Sequence, residues 1–98
     1  MPLALINDIS IADVVYDYML IQVINPALQG QTLQYAISHK NNSAIIRKGS
    51  FQGQVVQLRV AHMPEGCYDF YITAEGGEPS IFPFEKRAES FEQYLVHR

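Results

Sequence analysis

Residues 62–72 read HMPEGCYDFYI, and this stretch decides the fold. Pro64 and Gly66 supply the geometry of a sharp corner. Beyond it, Tyr68, Phe70 and Ile72 alternate with Cys67, Asp69 and Tyr71, the period of a strand with one buried face. A tyrosine placed directly after such a corner sends its ring into the core and its hydroxyl back to upstream backbone. That device marks the point where a chain crosses between the two sheets of a Greek-key sandwich. Every residue of the stretch finds a role in this account except Cys67.

The same alternation recurs on both sides of the corner. In YDYMLIQVI, residues 16–24, Met19, Ile21 and Val23 share one face, with Tyr16, Tyr18, Leu20, Gln22 and Ile24 on the other. Asn25-Pro26 ends that strand, since proline cannot continue a central ladder. LQYAIS sets Leu33, Tyr35 and Ile37 against Gln34, Ala36 and Ser38; SHKNNS then reads as a turn. A short strand AIIRK follows, with GSFQGQ as a second turn, and VVQLRVA sets Val56, Leu58 and Val60 inward. Gly76-Gly77 suits a tight hairpin. SIFPFEK closes the set with Phe82 and Phe84 on one face, and Pro83 assigns it to a sheet edge. LALINDISI adds an N-terminal strand, and spacings of this kind predict a sandwich. Past residue 86 the pattern changes: Ala88, Phe91 and Leu95 fall on one helical stripe. The expectation is therefore an all-β Greek-key sandwich of about seven strands over residues 3–86. A short helix at about 88–96 would dock on it, all within a single domain.

The 98 residues are 48% apolar and 17% charged, with a net charge of −3, which fits one folded domain rather than a disordered tail. Lysines and arginines are scattered, with only Arg47-Lys48 and Lys86-Arg87 adjacent, so nucleic acid is not an expected partner. One cysteine rules out an internal disulfide and a Cys-rich zinc site. No run approaches the roughly 18 apolar residues that span a bilayer, so no membrane insertion is expected. The start, MPLALINDIS, lacks the basic region of a signal peptide. As written the chain is expected in the cytoplasm; as a fragment of a larger protein it would be periplasmic or secreted.

The strand DYMLIQV at residues 17–23, the block at 33–72 and the closing FPFEK at 82–86 resemble the C-terminal sorting domains of the type IX (Por) secretion system. Met63, Gly66, Tyr68, Phe70 and Ile72 fall on that family's hairpin pattern, and Asp17-Tyr18 precedes the first alternating strand as the pattern requires. The resemblance covers about residues 14–86 and implies an immunoglobulin-like β-sandwich. It also implies a sorting or anchoring role if a cargo precedes the domain. SIADVV stands where the family carries a proline-asparagine-proline stretch, and the chain continues past the closing strand. A free-standing relative that binds a partner is the reading these departures favour.

Candidate chemistry is sparse. A Cys67 nucleophile needs a base in hydrogen-bond reach, and His62 before the proline turn is the one neighbour in sequence. His39, His62 and His97 show no metal-ligand spacing. Asp8, Asp13 and Asp17 match no calcium loop. No catalytic residue, metal or cofactor is assigned. The expected function is a non-catalytic protein-interaction module, with a protein partner or self-association as a homodimer. Tyr16, Tyr18, Leu20 and Tyr71 are the candidate surface, with Phe91 and Leu95 of the helix covering it or crossing to a second copy. A carbohydrate-binding sandwich with tyrosines stacked on sugar rings is the alternative.

Overall fold

A computed structural model describes residues 8–42, 44–74 and 77–88. Among them are eight strands: β1 (Ile9–Ile11), β2 (Val14–Val15), β3 (Tyr18–Val23), β4 (Leu33–His39), β5 (Ile45–Phe51), β6 (Val55–Arg59), β7 (Gly66–Thr73) and β8 (Ser80–Lys86). A one-turn helix α1 (Pro26–Gln29) separates β3 from β4. The expected C-terminal helix, with Phe91 and Leu95, lies outside the described residues, as does His97.

The strands form two sheets. One has the order β1-β3-β6 and the other β2-β8-β7-β4-β5. Neighbours are antiparallel except β2, which pairs parallel to the end of β8. The chain crosses from the first sheet to the second between β3 and β4, returns between β5 and β6, and crosses again between β6 and β7. Since β3 pairs β6 and β4 pairs β7, the β3–β4 and β6–β7 crossings interlock as a Greek key.

Period two placed the core correctly. Met19, Ile21, Val23, Leu33, Tyr35, Ile37, Val60, Tyr68, Phe70, Ile72 and Phe84 are all buried in one cluster. At the corner, the Tyr68 hydroxyl donates to the Pro64 carbonyl at 2.6 Å while its ring is 1% exposed. Phe84 and His39 stack on that ring, at 5.4 and 5.1 Å between centroids. Gly66 adopts φ +153°, a conformation side-chain-bearing residues rarely take. Gly66→Ala should therefore lower stability by about 1–2 kcal/mol, read as a lower urea midpoint with an unchanged slope.

Several boundaries differ from the sequence expectation. Ser38 and His39 belong to β4 rather than to a turn, because both pair with β7 opposite Asp69 and Tyr68. Gly49, Ser50 and Phe51 belong to β5, and the turn shrinks to residues 52–54. Gly49 sits in mid-strand because the Tyr35 ring lies over it; a Cβ there would meet ring atoms at 3.1 Å. Asn25 does end β3, and it then caps α1 by accepting from the Ala27 N–H at 2.9 Å, with Pro26 opening the helix. β8 is not the edge strand that Pro83 suggested: it lies between β2 and β7, though β2 pairs only with Glu85 and Lys86, and among the described residues Pro83 faces β7 alone.

Candidate interaction surface

Of the expected surface residues, the four that are described, Tyr16, Tyr18, Leu20 and Tyr71, do not share one surface. Tyr18 and Leu20 project from the outer face of the β1-β3-β6 sheet and are about half exposed. Ile24 and Val55 are exposed there too, with Val55 opposite Gln22. Tyr16 precedes β3, half-buried beside the Arg87 guanidinium at the lateral edge between the sheets. Tyr71 projects from the other sheet, on the opposite side of the molecule, between Ala36 and Ile81. Period two identified which side chains leave the core, but which outer face each reaches depends on sheet membership.

Around Tyr71 the outer face is concave. Two adjoining depressions of about 390 Å³ each share Ala36, Tyr71 and Thr73. Gln34, Lys48 and Gly49 extend the groove one way, and Ser38, Ile45 and Pro79 the other. Ala36 makes this possible: its small side chain leaves a low floor beside the Tyr71 ring. Ser38 is 1% exposed, and among the described residues its hydroxyl has no hydrogen-bond partner. A β-bulge between Ile37 and Ser38 brings Ile45 opposite it. Burying an unpaired hydroxyl is unfavourable. Ser38→Ala should therefore leave stability unchanged or raise it by up to about 1 kcal/mol in a thermal melt.

The lateral sides of the sandwich are unlike each other. One is closed by β1 and β2, of three and two residues, with the Glu85 and Arg87 N–H groups bonded to the Asp13 and Val15 carbonyls. The other ends in β5 and β6, consecutive strands that terminate different sheets. The Arg47 guanidinium donates to the Arg59 carbonyl and ties the two together. β5 is seven residues long and among the described residues pairs only with β4, and Ile45 and Ile46 are 61% and 40% exposed.

The remaining candidates are separate. Cys67 is exposed on the outer face opposite Glu85, and no hydrogen bond links it to the exposed His62. Among the described residues, no three His, Cys, Asp or Glu side chains cluster. Asp8, Asp13 and Asp17 contribute backbone carbonyls, to Ile24, Glu85 and Val60 respectively. Among the described residues, no helix is long and apolar enough to cross a membrane.

Two sheets of three and five strands, interlocked crossings and a tyrosine pinned at the β6–β7 crossing are now in view. The fold is an immunoglobulin-like β-sandwich. A DUF3244-family protein from Bacteroides vulgatus, described as having that fold, matches at a TM-score of 0.65 and 13% identity. The match covers 82% of this chain and 85% of that one. The soluble domain of PmoD from a Methylocystis species matches at a TM-score of 0.55 and 15% identity, over 78% and 79% of the two chains. At such identities the likeness concerns the fold alone. No protein-family model matches the sequence, and no curated protein does.

Proposed function

We propose that this chain is a non-catalytic protein-interaction module whose partner adds a strand to the free edge of β5. The supporting observation is that edge itself: seven residues long, unpaired on one side among the described residues, and opened by two exposed isoleucines. Such an edge is a template for another strand, and folded proteins ordinarily blunt it or use it. Ladder hydrogen bonds would supply affinity and neighbouring side chains specificity. Tyr71 and the groove beside it adjoin β5 on one face, whereas Tyr18 and Leu20 are remote from it and would serve a separate contact. If the chain is a sorting tag, as its sequence pattern resembles, the partner is the export machinery. Panning a random peptide library against the purified chain tests the reading. Recovered binders that protect β5 amides from exchange support it. Failure of peptide and protein libraries alike to yield any binder would sink it.

A carbohydrate reading is favoured by one observation, the open groove where Tyr71 stands among Gln34, Lys48 and Thr73. A glycan array decides it: a hit lost in Tyr71→Ala supports a sugar site, and silence removes it.

A further inference from the structure

We infer that the segment accepted by the β5 edge is extended, acidic and apolar in alternation. This rests on the interaction-module reading and adds the partner's chemistry. Charge is segregated along the chain: no Asp or Glu lies between Asp17 and Glu65, while Lys40, Arg47, Lys48 and Arg59 all do. Folding then removes some cations from play. Lys40 pairs with Asp69 at 3.3 Å and Arg87 with Glu85 at 3.0 Å, while Lys86 is buried with its ammonium on the Arg87 carbonyl. Among the described residues three remain, Arg47, Lys48 and Arg59, and none of them makes an ion pair there. All three lie on β5 and β6, the open lateral side, in a chain whose net charge is −3. The net charge conceals a basic edge.

Position sharpens the requirement. Lys48 stands opposite Ala36 at the rim of the groove, and Ile45 and Ile46 open the same strand. An added strand that sets a carboxylate near Lys48 and apolar side chains near the isoleucines would complement both. A second copy of β5 would not. Lys48 is the central residue of Ile45–Phe51, so two-fold antiparallel pairing in full register sets Lys48 against Lys48. Like charges directly opposite destabilise a strand pair. The edge therefore selects against itself and for an anionic strand.

The test uses fluorescence anisotropy at low ionic strength with a labelled peptide of alternating Glu and Val, as long as β5. Saturable binding is expected. The charge reversal Lys48→Glu should weaken it several-fold, with unchanged circular dichroism showing that the variant folds. The same peptide N-methylated along its backbone keeps its charge but cannot donate ladder bonds, and should not bind. Several results would overturn the inference. If the Glu–Val peptide fails while library panning recovers other binders, the cations merely guard the edge; the partner chemistry is wrong although the module reading stands. Equal binding of a Lys–Val peptide, of the N-methylated peptide or of single-stranded DNA would likewise reject an acidic added strand.

Discussion

Replacing Phe70 by alanine should lower the stability of the fold by about 3–5 kcal/mol, the usual range for truncating a buried phenylalanine. Phe70 is fully buried at the middle of β7, paired with Ile37 on one side and Phe82 on the other, and its ring stacks on Tyr35 at 5.5 Å. Removing it leaves a cavity between the sheets that β4 and β8 are too tightly paired to close. A domain of this size has about 5–15 kcal/mol in total, so the variant would be marginal or unfolded. With a urea slope of about 1.5 kcal/mol/M, the midpoint should fall by about 2–3 M. A loss below about 1 kcal/mol would mean that this site is not the packed centre described above.

Tyr68 should separate ring from hydroxyl. Tyr68→Ala removes both and should cost about 3–5 kcal/mol, since the ring fills the corner between His39 and Phe84. Tyr68→Phe keeps the ring and loses only the bond to Pro64, which should cost about 1 kcal/mol. Water can reach the exposed Pro64, which keeps that figure low. Burial also raises the ionisation of Tyr68 above its ordinary value of 10.0. The unfolded chain therefore releases this proton first as pH rises. The resulting stability is complete below the ordinary tyrosine range and declines as pH climbs through the raised value. Denaturation curves at alkaline pH should show this decline, and Tyr68→Phe should lack its share of it.

The corner was legible because it is local: the turn residues, the tyrosine and the alternating face lie within one short stretch. The long strands were legible for the same reason. β2 was not, because two residues cannot show a period, and its parallel pairing with β8 is a contact across the whole chain. β5 ran further than its residues advertise. Gly49 and Ser50 are poor strand formers, yet pairing with β4 and the Tyr35 ring over Gly49 override propensity. The candidate surface was legible only in part. Alternation sent Tyr18, Leu20 and Tyr71 outward, but their separation onto opposite faces follows from sheet order. The basic edge left a trace in the sequence, the acid-free run between Asp17 and Glu65, though only topology shows that its cations lie on the two strands of one lateral side.

Backbone amide exchange of the free chain, residue by residue, tests the account most directly. β7 lies inside its sheet and should be protected at successive residues from 67 to 72, whereas along 45–51 of β5 protected and fast-exchanging amides should alternate. Uniform slow exchange along β5 would show the edge already covered, and fast exchange through β7 would contradict the sandwich itself.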